Sequence, residues 1–136
     1  MSLSRTVPAL PVQDIKAAAA FYSRRLGFSV KYSDDGFAKL QRDDAEVHLW
    51  AASDRGWEER INLVREPVRS GAESFIAGTA SCRIEADRVE ALYSEMKRAE
   101  VLHPGDRGGA VDTDWGTREF AALDLDGNLL TFFQRR

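Results

Sequence analysis

At 136 residues, 43% hydrophobic and 30% charged, the sequence is long enough for one domain with its own core, and no apolar run approaches membrane-spanning length. The formal charge of −3, from 22 acids against 19 bases, argues against a nucleic-acid partner and is compatible with a cationic ligand. The single Cys82 excludes an internal disulfide, and its place between Ala80 and Ile84 marks a buried structural thiol.

The N-terminus lacks the basic-then-apolar pattern of a secretion signal, so a cytoplasmic location is expected. Thr6 to Val12 is predicted as a short strand. Pro8 and Pro11 cannot donate to a ladder, which places it at an edge or crossover. Asp14 then caps an amphipathic helix running to Leu26, with Ile15, Ala19, Tyr22 and Leu26 on one stripe and Gly27 as its stop.

Three strands follow. Phe28 to Tyr32 alternates, with Phe28, Val30 and Tyr32 expected on one face. After the turn Asp34-Asp35-Gly36 comes Phe37 to Arg42, with Phe37 and Lys39 opposed to Ala38 and Leu40. After Asp43-Asp44 comes Glu46 to Ala51, with Val47 and Leu49 on one face and Glu46, His48 and Trp50 on the other. The stretch from Ser53 to Gly78 contains a short helical pattern near Trp57 and loop residues around Pro67 and Gly71. A connection this long is expected to join two halves and border a ligand space.

The second half repeats the order. Thr79 to Ala86 is a strand, and Asp87 caps a helix with the stripe Val89, Leu92, Tyr93, Met96 and Ala99. Val101 to His103 is a short strand, and Arg107 to Asp114 a loop or edge. Phe120 to Leu123 and Leu129 to Phe133 form a hairpin around Asp124-Leu125-Asp126-Gly127-Asn128, where Gly127 suits a positive φ. Their continuous apolar character predicts strands covered on both faces. Trp115 stands just ahead of this hairpin, where a ring can look into a cavity. The pattern is strand, helix, three strands, twice: an α+β fold of tandem βαβββ modules, the first about 5–52, a connector about 53–77 and the second about 78–136.

The phrases Phe21-Tyr22, Arg25-Leu26-Gly27-Phe28, Asp34-Asp35-Gly36-Phe37-Ala38, Trp115-Gly116-Thr117-Arg118-Glu119-Phe120-Ala121 and Asp126-Gly127-Asn128 span nearly the whole chain. In them the sequence resembles the glyoxalase/bleomycin-resistance/dioxygenase (vicinal oxygen chelate) superfamily, and within it the bleomycin-binding members. The resemblance implies a curved mixed sheet around a ligand cavity, with the helices on its outer face. Enzymatic members hold a divalent metal on the first and last strands of the repeats. The corresponding positions are Val7, His48, Ala80 or Ser81, and Thr131. Only His48 is a donor, so no metal, cofactor or catalytic residue is expected, and His48 is read as lining the cavity. His103 falls beside Pro104 in a turn, and Gly108-Gly109 lacks the spacing of a phosphate loop.

The same resemblance gives Phe37 and Trp115 the role of two rings that sandwich the bithiazole of bleomycin. Asp34 and Asp35 would draw its cationic tail, and Trp50 and Trp57 would add cavity wall. It also implies a homodimer in which the N-terminal strand is exchanged about Pro8. Phe37 of one chain would then face Trp115 of the other. The expected function is sequestration of a bleomycin-type glycopeptide without chemistry. The alternatives are a metal-dependent glyoxalase- or dioxygenase-like enzyme and a binder of another small planar metabolite.

Overall fold

The computed structural model describes residues 1–52 and 76–136. Most of the connector, Trp57 included, lies outside the described residues. The first module contains β1 (Ala9–Val12), α1 (Ile15–Arg25), β2 (Ser29–Ser33), β3 (Phe37–Arg42) and β4 (Ala45–Ala51). The second contains β5 (Ser81–Glu85), α2 (Val89–Arg98), β6 (Val111–Asp112), β7 (Thr117–Leu123) and β8 (Leu129–Arg135). The strand orders are β1-β4-β3-β2 and β5-β8-β7-β6. In each sheet the strand before the helix pairs in parallel with the last strand, and the other pairings are antiparallel. The α+β class and the tandem order are as expected, carried by two four-stranded sheets.

Local chemistry explains the elements. Asp14, in extended geometry, accepts from the Ala17 N–H at 3.1 Å and satisfies one orphan donor of α1. Arg24 and Arg25 occupy the last turn, where cations suit the helix dipole. The second helix departs from expectation. Its cap residue is Arg88, not Asp87, and it makes no side-chain cap bond. The Val89 N–H is satisfied instead from a distance, by Gln134 Oε1 of β8 at 3.0 Å.

Three strand expectations are also corrected. The register of β2 shifts between Val30 and Tyr32, so Val30 pairs with Leu40 while Tyr32 pairs with Lys39. The extra residue of this bulge turns Tyr32 to the opposite face from Val30. Leu102 makes only an isolated bridge to Ala122, and the third-from-last strand is β6. In β7 and β8 the burial alternates: Phe120, Ala122, Leu130 and Phe132 are buried, while Ala121, Leu123, Thr131 and Phe133 are half-buried. Their second face is therefore only partly covered.

One core serves both modules. Leu10, Val12, Tyr22, Leu26, Leu40 and Leu49 from the first join Val89, Met96, Phe120, Leu130 and Phe132 from the second. Each fully buried side chain of this kind contributes about 1.5–3 kcal/mol. The Tyr22 hydroxyl crosses the junction to Asp124 Oδ2 at 2.8 Å, and Asn128 Nδ2 donates to the same oxygen and to the Pro11 carbonyl, each at 2.9 Å. A second tie lies nearer the surface. Arg42 donates to Glu95 at 2.6 and 2.9 Å and to the Leu26 carbonyl at 2.9 Å. Its guanidinium packs so closely on Gly27 that a Cβ there would stand 2.8 Å away.

Candidate ligand-binding site

Alternation along the strands gives each sheet one face toward the helices and one open face. On the first sheet, Ala38, Leu40, Val47 and Leu49 point into the core. The open face therefore carries two cross-strand rows. One is Ala9, His48 and Lys39, extended to Tyr32 by the bulge; the next is Pro11, Trp50 and Phe37, of which Pro11 is itself buried. Four of the expected site residues, Phe37, His48, Trp50 and Asp34, thus gather on this face or at its rim. Phe37 meets His48 edge-on, with ring centroids 5.0 Å apart. His48 Nε2 lies 2.5 Å from Glu46 Oε2.

The turn carrying Asp34 and Asp35 is built around Asp34. Its carboxylate accepts from the Gly36 N–H at 2.8 Å and from the Tyr32 hydroxyl at 2.7 Å. The Tyr32 bond holds the Asp34 carboxyl below its usual range and, in turn, pushes the Tyr32 hydroxyl up. Asp34 is therefore committed to its own turn. Asp35 is exposed beside it, free of any such bond among the described residues. Tyr32 is half-exposed at 51% and extends the aromatic surface of the face. Strict alternation hid it, because a single bulged residue reverses the face of everything beyond it.

On the second sheet the matching rows are Arg83, Thr131 and Ala121, then Glu85, Phe133 and Glu119. Arg83 donates to both oxygens of Glu119, at 3.2 and 2.6 Å, and lies over the Phe133 ring at 4.8 Å. The Glu119 carboxyl is held low, first by Arg83, against its partial burial, with help from Thr117 and Trp115. Thr117 Oγ1 donates to Glu119 at 2.7 Å. Trp115 stands in the turn before β7, 68% exposed. Phe37 stands in the first sheet and Trp115 in a turn of the second module, and among the described residues no ring contact joins them within one chain.

His48 stands beside Ala9 and Lys39, and Thr131 beside Arg83 and Ala121. Among the described residues no three His, Cys, Asp or Glu side chains converge as a metal-binding group. Burial pushes the Cys82 thiol up to about 11, which keeps it protonated and unreactive. No helix among the described residues is long and apolar enough to cross a membrane.

A family model described as Glyoxalase/Bleomycin resistance protein/Dioxygenase superfamily matches residues 3–132. The chain belongs to the glyoxalase/bleomycin resistance protein/dioxygenase superfamily. Within this superfamily it is 48% identical over 131 residues to a bleomycin resistance protein of Geobacillus stearothermophilus, covering 96% of each chain. It is similar in structure to a bleomycin-binding protein solved with bleomycin, at a TM-score of 0.69 and 26% identity, over 98% of this chain and 100% of that one. A bleomycin-binding protein from bleomycin-producing Streptomyces verticillus, solved with copper(II)-bleomycin, gives a TM-score of 0.69 and 26% identity over 97% and 96% of the two chains.

Proposed function

We propose that this protein binds a bleomycin-type glycopeptide and confers resistance by sequestering it, with no chemistry performed on the drug. The observation that carries this reading is the pair of open sheet faces bearing exposed or half-buried aromatics, on a chain of this family. Tyr32, Phe37, His48 and Trp50 supply one aromatic surface and Trp115 another. Flat rings of this kind hold a planar heteroaromatic by stacking, at about 0.5–1.5 kcal/mol per pair beyond the area buried. The 48% identity to a bleomycin resistance protein supports the same ligand.

The site is formed between two copies of the chain, related by a two-fold axis, with the N-terminal segment exchanged about Pro8. In support, Leu3 is 99% exposed in the single chain and residues before Pro8 make no strand. Such an arm gains a buried place only on a partner. The separation of Phe37 and Trp115 into different modules fits the same arrangement, in which each groove takes one ring from each chain. The whole chain is read as a single domain of this type, working in the cytoplasm.

A metal-dependent enzyme is the weaker reading. Among the described residues, His48 has Glu46 as a neighbouring donor beside Ala9 and Lys39, but no third donor joins them, and Thr131 is paired with Arg83 and Ala121, neither of which ligates a metal. A binder of another planar metabolite remains the third reading. Quenching of intrinsic tryptophan fluorescence across a panel of flat cationic compounds separates it from the first. Bleomycin saturating at the lowest concentration supports drug binding, whereas tighter quenching by an unrelated planar compound moves the assignment to that compound.

A further inference from the structure

A cleft of about 490 Å³ opens on the helix side of the molecule, between α2 and the β3–β4 turn. Of the open-face rows, Glu85 alone reaches this cleft. Its floor is apolar, made by Phe28 and Phe132, both 3% exposed, together with Ile84 and Leu92. One wall is the Arg42–Glu95 ion pair, whose charges balance each other. The mouth is acidic. Asp43, Asp44 and Asp87 are exposed there, and among the described residues their carboxylates make no ion pair or hydrogen bond. Glu85, also at the mouth, is balanced by Arg135 at 3.0 Å, and Arg88 is the one base set against the three free acids.

We propose that this cleft is a second binding site, for a small organic cation with an apolar body. A volume of this size suits a compact ligand and is too small for a whole glycopeptide. The apolar floor takes the body of such a ligand, and the carboxylates take its charge. A low-dielectric wall beside exposed acids focuses the field on the mouth and raises the local concentration of cations. An anionic or strongly polar ligand fits neither part. The cleft also joins the two modules, since Phe28 and Arg42 come from the first and Ile84, Leu92, Glu95 and Phe132 from the second. A ligand seated there braces the module junction.

The test is a titration of the uniformly ¹⁵N-labelled full chain with 1-naphthylmethylammonium, with 1-naphthylmethanol as its neutral isostere, read by amide chemical shifts. The cation is expected to give saturable shifts at Asp43 to Ala45, Ala86 to Arg88, Ala91 and Leu92. The alcohol should bind at least several-fold more weakly. The exposed double variant Asp44→Asn/Asp87→Asn, which disturbs no packing, should weaken the cation by about fivefold. Adding bleomycin should leave these shifts in place. No saturable shifts at millimolar probe, equal affinity for amine and alcohol, or shifts confined to the Phe37 row and the Trp115 turn would each overturn the proposal. These outcomes are read whether or not bleomycin itself binds.

Discussion

Tyr22 of α1 and Asp124 of the last hairpin are 102 residues apart in sequence and joined by a buried hydrogen bond of 2.8 Å. The bond sits at the centre of a closed network. Asp124 Oδ1 accepts from the N–H groups of Asp126 and Asn128, at 3.0 and 2.9 Å, and so shapes the turn. Asn128 Oδ1 accepts from the Ala80 N–H just before β5 at 3.1 Å, while its Nδ2 reaches the Pro11 carbonyl in β1. The first strands of both modules are thus fastened to one turn. Burial, and then the charge of Asp124, push the Tyr22 hydroxyl well above its usual value, so it remains a donor throughout the working range. Tyr22→Phe is expected to destabilise the fold by about 1–3 kcal/mol, because Asp124 loses a buried donor. Urea unfolding at neutral pH measures this, and an unchanged midpoint would show that this bond adds nothing net to stability.

Gly78 is where the chain re-enters the second module. Its φ is +83°, and an added Cβ would stand 2.1 Å from the Asp126 carbonyl oxygen. Since the obstacle is backbone in the same fastened turn, it cannot give way. Gly78→Ala should cost more than about 2 kcal/mol, combining left-handed strain with the clash. A thermal melt checks it, and a variant within a degree or two of the parent would contradict the close approach.

Asp126 supplies a pH signature. Its Oδ1 accepts from the Gln13 N–H at 2.9 Å, while Oδ2 is buried with no partner among the described residues. Burial raises its pKa, opposed by the Gln13 bond and assisted by Asp124 and Asp14. A carboxyl whose folded value lies above its unfolded value costs stability when ionised, and the cost appears as pH rises from the ordinary value of about 4 through the raised one. Compared with the parent, Asp126→Asn should therefore gain stability as pH rises across that window and then level off. Chemical unfolding of both proteins at a series of pH values tests the slope. The opposite slope would mean that the Gln13 bond dominates.

Much of the fold was legible in the sequence because short-range chemistry governs it. Asp14, the alanine-rich stripe of α1 and the Asp124–Asn128 turn act within a few residues of themselves. Alternation likewise set Phe37 opposite Ala38 and Leu40 in β3, and His48 and Trp50 opposite Val47 and Leu49 in β4; that these three rings share one face came only from the β3–β4 register. Three further features were not legible, each for a long-range reason. The bulge that turns Tyr32 depends on pairing with β3. The cap of α2 comes from Gln134, 45 residues away. Arg83 and Glu119 become a pair only when β5 and β7 flank β8.

If each groove takes Phe37 from one chain and Trp115 from the other, single-site variants complement each other. Phe37→Ala and Trp115→Ala homodimers should each bind bleomycin weakly. A heterodimer, made by co-refolding the two, should regain one intact groove of its two. With about half of the co-refolded dimers heterodimeric, recovery of about a quarter of the parental capacity at parental affinity is the expected result; no recovery would place both rings in grooves within single chains.

The most direct test of ligand sequestration is a calorimetric titration of the metal-free protein with copper-free and copper-loaded bleomycin, beside Trp115→Ala. Trp115 is largely exposed, so its loss should leave stability within about 0.5 kcal/mol while weakening the drug roughly tenfold. Saturation near one drug per chain, with that loss of affinity, is the predicted result. Absence of heat at high drug concentration, in a protein shown to be folded, would contradict it.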